Sequence, residues 1–117
     1  ADVAMRFLAA EITREQVYRA LHDELPYAIT VETENWKDQK DGAARIEQVI
    51  FVVRDSQKKI VLGEGGQMIK RIGAYARKEM ETQFDRRVHL FLFVKVRGDW
   101  GDDPERSEAM GLESPKG

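Results

Sequence analysis

The sequence predicts an α+β domain in which helices cover one face of a three-stranded sheet. Two segments, 27–36 and 88–97, alternate between apolar and polar residues, which is the repeat of a half-buried strand. Two longer segments, 3–22 and 67–84, repeat apolar residues at helical spacing instead. Because 117 residues suffice for one core, we expect these elements to pack together in a single domain.

The first helix is predicted over residues 3–22. Its apolar residues follow helical spacing, with an offset past the middle: Met5, Leu8, Ala9, Ile12, Val17 and Leu21. Thr13 and Gln16 fit a capping box, which would start a second helix at that point. We favour one helix, kinked there at most. Pro26 stands after its end, where proline is common.

Two strands, 27–36 and 45–54, should follow and pair antiparallel. The polar link between them ends in Asp41 and Gly42, and Asp-Gly is a common hairpin turn. The second strand is apolar on both faces over residues 49–53, a pattern typical of strands that are covered on both sides. We therefore expect both faces of this strand to be buried.

The remaining elements are a short helix at 57–62, a long helix at 67–84 and a third strand at 88–97. The short helix follows Asp55 and Ser56, which favour a helix start. The long helix has one apolar face, formed by Ile69, Ile72, Ala76 and Met80. The third strand places Val88, Leu90, Leu92, Val94 and Val96 on one face and His89, Phe91, Phe93, Lys95 and Arg97 on the other. An acidic tail follows, in which Pro104 could open a short helix that runs through Met110.

Charge is segregated along the chain, although the net charge is only −2. Residues 44–97 carry twelve Lys and Arg against six Asp and Glu, whereas the rest of the chain carries seven against fifteen. A basic middle between acidic flanks is typical of a surface that faces a polyanion. A solvated charged surface without a partner would produce the same count, so charge alone leaves both interpretations open.

Residues 63–66, Gly-Glu-Gly-Gly, form the one motif whose composition suggests a ligand-binding site, and we call them the glycine loop. Glycine lets backbone approach a ligand closely, and a helix N-terminus offers free N–H groups and a partial positive charge. Lys70 and Arg71 follow in the first turns of the next helix, where the helix dipole disfavours cations, so an anion is expected there. Lys58 and Lys59 approach from the other side. The alternative is a tight turn between two helices that binds nothing.

Other sites for phosphate, metal or catalysis fit poorly. The loop lacks the Lys and Ser or Thr of a nucleotide-binding P-loop, and Met68 stands where a dinucleotide fold needs a third glycine. The chain has no cysteine, and its only histidines, His22 and His89, lie far apart in sequence. No apolar run is long enough to span a membrane. We therefore expect no cofactor, no metal, no integral membrane segment and no catalytic residue.

The glycine loop joins two helices, which is the setting in which KH domains carry the G-x-x-G loop that clamps about four nucleotides. Further stretches resemble the C-terminal domain of the Era family of bacterial GTPases: residues 7–12 (FLAAEI), 24–27 (ELPY), 54–58 (RDSQK), 61–66 (VLGEGG) and 94–97 (VKVR), then Trp100. The resemblance runs from residue 3 to 112. It implies a type II KH fold in the order αββααβ, with the RNA-binding domain at 1–97 and the acidic tail at 98–117.

The same resemblance implies binding of single-stranded RNA at the 3′ end of small-subunit ribosomal RNA. It also implies a cytoplasmic role in assembly of the small ribosomal subunit, with a GTPase domain that precedes Ala1. A chain that opens on Ala1 rather than Met is expected to be a piece of a longer protein. The alternative function is a protein-interaction module that docks an acidic partner or the missing domain.

The expected RNA contacts lie in the glycine loop and on both sides of it. Phosphates would follow the loop, and bases would lie in an apolar groove built from Ile60, Val61, Ile69, Ile72 and the second strand, whose backbone would read base edges. The predicted contact residues are Val52, Arg54, Lys59, Ile60, Gly63, Glu64, Gly65, Gly66, Ile69, Lys70 and Arg71. KH loops often carry Lys or Arg where this loop has Glu64, which should repel phosphate. We expect Phe91 and Phe93 to pack in the core or against another domain rather than to stack on bases.

Overall fold

The computed structural model describes residues 2–25 and 29–97. Its elements are α1 (Val3–Leu21), β1 (Thr30–Asp38), β2 (Ala44–Val52), α2 (Asp55–Leu62), a 3₁₀ turn (Glu64–Gly66), α3 (Gln67–Phe84) and β3 (Val88–Val96). The predicted order αββααβ is confirmed, and each element falls within a few residues of its predicted bounds. Pro26, Trp100, the tail and its predicted short helix lie outside the described residues, so the domain boundary at 97 stays a prediction.

The three strands form one sheet in the order β1-β2-β3. β1 and β2 pair antiparallel, as the Asp-Gly turn predicts, and Gly42 in that turn has a φ of 91°. β2 and β3 pair in parallel, with Ala44 opposite Val88 and Val52 opposite Val96. The parallel pair needs a long crossover, which α2, the glycine loop and α3 provide. β2 is therefore the central strand, and β1 and β3 are the two edges.

The first helix runs without interruption, so the alternative of a second helix capped by Thr13 is wrong. The Thr13 side chain is buried and donates a hydrogen bond to the amide oxygen of Gln48 on β2. The Gln48 amide nitrogen donates in turn to the hydroxyl of Thr33 on β1, at 3.0 Å. The Thr33 hydroxyl donates to the carbonyl of Arg6, at 2.9 Å. These hydrogen bonds give the buried polar groups of Thr13, Gln48 and Thr33 their partners. They also hold α1 against the first two strands.

The helices cover one face of the sheet, as predicted. Ile46 and Ile50 of β2 are fully buried beneath them. The expectation that both faces of β2 are covered is only partly correct. On the outer face Val49 is buried, but Phe51 is half-buried and is covered by the guanidinium of Arg97, whose Cζ lies 3.6 Å from the ring centroid. Side chains of the neighbouring strands, rather than a second layer of structure, shield this face within the described residues.

Candidate functional site

The glycine loop has a backbone that only glycine adopts easily. Gly63 ends α2 with φ 74° and ψ 172°, and a Cβ at that position would lie 2.6 Å from the Cβ of Met68. Gly65 and Gly66 have φ values of 63° and 77°, yet a Cβ on either would meet no atom within 4 Å. The inner side of the loop is thus closely packed against α3. Its outer side is open to a ligand.

The N-terminus of α3 opens at this outer side. Gly66 is the N-cap residue and provides no side chain to accept hydrogen bonds from the first turn. The first N–H groups of a helix carry a partial positive charge and lack partners within the helix. Glu64 is exposed beside them. The loop therefore offers backbone donors to an anion, and one carboxylate close by opposes it.

Gln57 positions α2, and therefore the glycine loop, relative to the end of β2. Its side-chain oxygen accepts hydrogen bonds from the backbone N–H groups of Val53 and Arg54, at 2.8 and 3.1 Å. Gln57 is buried, so these two donors are satisfied within the protein. The RDSQK stretch signalled the resemblance, but sequence reasoning gave no role to this glutamine.

The second strand offers no open groove within the described residues, and the RNA contacts expected there stay a prediction. The backbone of β2 pairs with β1 on one side and β3 on the other, so it has no free edge for bases. The carbonyl of Val52 accepts a hydrogen bond from the N–H of Arg97, at 2.7 Å, and its side chain is buried. Val61 and Ile72 are also fully buried in the core, and neither lines the groove beside β3. The sequence does not reveal which strand is central, because β3 pairs with β2 although the two strands are far apart in sequence.

A surface groove lies between α3 and the free edge of β3. It holds about 360 Å³ and is lined on the helix side by Ile69, Lys70 and Arg77. The strand side is formed by four consecutive residues, Leu90, Phe91, Leu92 and Phe93. β3 pairs only with β2 among the described residues, so the backbone along its other edge faces the groove. An apolar groove with two cations and strand-edge donors and acceptors suits flat, partly polar groups such as bases.

Arg77 is held in position by Glu81 one turn further along α3. The guanidinium of Arg77 lies 3.2 Å from one carboxylate oxygen of Glu81, and the other oxygen accepts the backbone N–H of Val88 at 2.9 Å. The Val88 hydrogen bond, assisted by Arg77, lowers the pKa of Glu81 despite some desolvation. Glu81 therefore stays ionised at neutral pH and ties α3 to the start of β3 at the end of the groove.

Lys70 and Arg71 lie on different sides of α3, although they are adjacent in sequence. Lys70 lines the groove, as does Arg77 seven residues later. Arg71 faces α1, where it lines a separate pocket with Arg19 and Tyr75, and its Cζ lies 5.9 Å from the Tyr75 ring centroid. The two cations predicted to follow one RNA backbone are thus separated by the helix.

The other predicted contact residues vary in how well they are placed. Lys59 and Arg54 are exposed at the two ends of α2, so both are accessible to a ligand. Ile60 is half-buried and packs on the core.

Within residues 2–25 and 29–97, no cluster of three His, Asp or Glu could hold a metal ion. The helices in the same residues include none that is long and apolar enough to cross a membrane.

A comparison with protein-family models finds the KH domain, matched over residues 24–101. The chain belongs to the KH domain family. The match includes β1, β2, the glycine loop, α3 and β3. The glycine loop is therefore the G-x-x-G loop of a KH domain.

Curated relatives confirm the resemblance to the Era family. This KH domain is 66% identical over 115 residues to GTPase Era of Afipia carboxidovorans and 64% identical over 115 residues to that of Rhizobium meliloti. Each alignment covers 98% of this chain but only 37% of the relative, so the chain spans little more than a third of the relatives' length.

Two solved structures share the fold. Era from Aquifex aeolicus bound to GDP.AlF4- matches with a TM-score of 0.77 and 37% identity, over 95% of this chain and 38% of that one. Era in complex with MgGDPNP and nucleotides 1506-1542 of 16S ribosomal RNA matches with a TM-score of 0.77 and 38% identity, over 94% of this chain and 37% of that one. The predicted type II KH arrangement is confirmed by these matches.

Proposed function

We propose that this KH domain binds single-stranded RNA between the glycine loop and the free edge of β3. The observation that carries the proposal is the continuity of the site. The open loop at the N-terminus of α3 leads directly into the groove lined by Ile69, Lys70 and Arg77. Phosphates would contact the loop N–H groups and Lys70, while bases would lie on Ile69 and Leu92 and be read by the edge of β3.

We further propose that the RNA is the 3′ end of small-subunit ribosomal RNA and that the domain acts in assembly of the small subunit in the cytoplasm. The support is the relationship to Era, one structure of which contains nucleotides 1506-1542 of 16S ribosomal RNA. In the full-length protein, a GTPase domain would supply nucleotide hydrolysis. The chain itself would not hydrolyse GTP, because it carries no P-loop.

Single-stranded RNA should bind more tightly than the same sequence in a duplex. The groove admits flat bases one at a time. In a duplex the base edges are paired and the base faces are stacked, so neither is available to the groove. Fluorescence anisotropy with a labelled single strand from the 1506-1542 segment, and with that strand annealed to its complement, measures the difference. We expect at least tenfold weaker binding of the duplex. Equal affinities would reject the proposal and favour a protein-docking role for the basic surface.

Replacing Glu64 by Lys should strengthen RNA binding. Glu64 is exposed on the open side of the loop, so the substitution converts a local repulsion of phosphate into an attraction. We expect a gain on the order of 1 kcal/mol at low salt and less at high salt, because exposed charges are screened. Glu64→Gln removes the repulsion without adding a charge and should give an intermediate affinity. Identical affinities for all three proteins would show that phosphate does not approach the loop.

A further inference from the structure

A second surface of basic and aromatic side chains lies on the outer face of the sheet, opposite the helices. It is formed by Arg45, Phe91, Phe93 and Lys95, and we call it the aromatic face. Phe91 and Phe93 are 42% and 51% exposed, so they do not pack in the core of this domain, and the alternative that they pack against another domain stays a prediction. In the sheet, Phe91 stands opposite Glu47, Phe93 opposite Val49 and Lys95 opposite Phe51. Large exposed apolar side chains in neighbouring positions indicate a binding surface.

The aromatic face is continuous with the RNA groove. Phe91 and Phe93 line the groove together with Lys70 and Arg77, because β3 is the edge strand and its outward side chains reach both surfaces. A strand of RNA that leaves the groove over the edge of β3 therefore meets these rings next. A KH groove takes about four nucleotides, so a longer RNA must continue onto a neighbouring surface.

The chemistry of the aromatic face suits a single strand of nucleic acid. Aromatic rings accept stacked bases of any sequence, and nearby cations contact the backbone. The Cζ of Arg45 lies 4.4 Å from the ring centroid of Phe91, so a cation already contacts one face of that ring and a base would stack on the surface that stays exposed. Lys95 is exposed two residues beyond Phe93. Two carboxylates lie on this face, Glu32 on β1 and Glu47 opposite Phe91, and each pairs with an arginine, Arg97 and Arg45. The part of the face on β3 that adjoins the groove carries the two rings and Lys95.

We propose that RNA extending beyond the groove crosses the edge of β3 and stacks its bases on Phe93 and Phe91, with Lys95 near its phosphates. This proposal rests on the proposed function and extends it: the groove gives the domain its first few nucleotides, and the aromatic face adds further ones. The added contacts are tolerant of sequence, because stacking reads no base edges. The aromatic face would therefore contribute affinity, and the groove would contribute specificity.

The test compares short and long RNA on the same variants. Single strands of about four and about ten nucleotides, taken from the 1506-1542 segment, are titrated against the parent chain, Phe93→Leu and Phe93→Tyr. Leucine keeps apolar area but removes the ring, whereas tyrosine keeps the ring. Because Phe93 also lines the groove, we expect Phe93→Leu to weaken binding of the short RNA slightly and of the long RNA about tenfold, with Phe93→Tyr close to the parent on both.

The controls separate this inference from the proposed function. Phe7 on α1 is 65% exposed and lies away from the sheet's outer face, so Phe7→Leu is a matched change that should leave both affinities unchanged. Thermal melting checks that each variant folds. If the short RNA fails to bind the parent chain, the proposed function is wrong. If the short RNA binds the parent but Phe93→Leu weakens binding of short and long RNA by the same factor, the aromatic face adds no contact beyond the groove and the inference fails alone.

Discussion

Changing Glu64 and Gly65 together to Asp should lower the affinity for single-stranded RNA by on the order of a hundredfold. Gly65 lies on the open side of the glycine loop, where a Cβ would meet no protein atom within 4 Å. A carboxylate at this position would stand beside the N–H groups that are expected to contact phosphate. It would both repel the phosphate and occupy the space into which the RNA backbone must come. Anisotropy titrations at low and moderate salt measure the loss.

The matched control places Asn at both positions. Asn has nearly the same shape as Asp and adopts the left-handed backbone of Gly65, where φ is 63°, about equally well. Both double variants should melt within a few degrees of the parent, because the outer side of the loop packs against nothing. The pair of Asn residues adds the same side-chain volume without the charge, so it should lose less affinity than the pair of Asp residues. Should both double variants bind like the parent, the loop would be a structural turn and phosphate would bind elsewhere.

The Gly63→Ala variant should lose about 3 kcal/mol of unfolding free energy. Gly63 has φ 74° and ψ 172°, a region of the backbone map that is costly for every residue but glycine. The added Cβ would also lie 2.6 Å from the Met68 Cβ and 2.8 Å from the Met68 backbone nitrogen, so the start of α3 would have to shift. Urea unfolding followed by circular dichroism measures the loss as a lower midpoint at an unchanged slope.

Gly66→Ala provides the comparison for this change. Gly66 also has a positive φ, 77°, but a Cβ there meets no atom within 4 Å. Only the backbone preference is lost, which costs about 1 kcal/mol. If Gly63→Ala loses no more unfolding free energy than Gly66→Ala, the close packing of Gly63 against Met68 is relieved at little cost. The difference between the two variants combines the contact with α3 and the stricter backbone requirement at Gly63, where ψ is 172° against 14° at Gly66.

The elements of the fold could be predicted from the sequence because each one carries a local pattern. The alternation of β3 predicted its two faces: Val88 and Val94 are buried, Leu90, Leu92 and Val96 are half-buried, and the residues between them are exposed. The long helix was predicted at its observed bounds, Gln67–Phe84, since a glycine stands before it and a charged turn follows it. The role of Thr13 was ambiguous, because a threonine near a possible helix start is also a common cap residue. The structure gives it a different role: its hydroxyl donates to Gln48, which lies on a strand distant in sequence.

The site was less predictable than the fold, because a surface groove depends on which strand is central. The resemblance placed the groove against the second strand, whereas the apolar run of that strand predicted cover on both faces, as a central strand shows, and β2 is central. Arg77 stands seven residues after Lys70, so both lie on one face of a helix, but the sequence shows no groove on that face. Its place in the groove depends on Glu81, which binds both Arg77 and the Val88 N–H. The roles of Phe91 and Phe93 depend on a free strand edge that no local pattern reveals.

The parallel pairing of β2 with β3 has a consequence for the order in which the domain folds. The β1–β2 hairpin joins neighbouring segments and can form within about ten microseconds. Ala44 meets Val88 only after the chain has closed around α2, the glycine loop and α3, and pairings between such distant residues are slow. Since the groove has β3 as one wall, a chain in which β3 has not docked has no groove. RNA can therefore stabilise the finished domain by mass action, but it has no site from which to guide its folding.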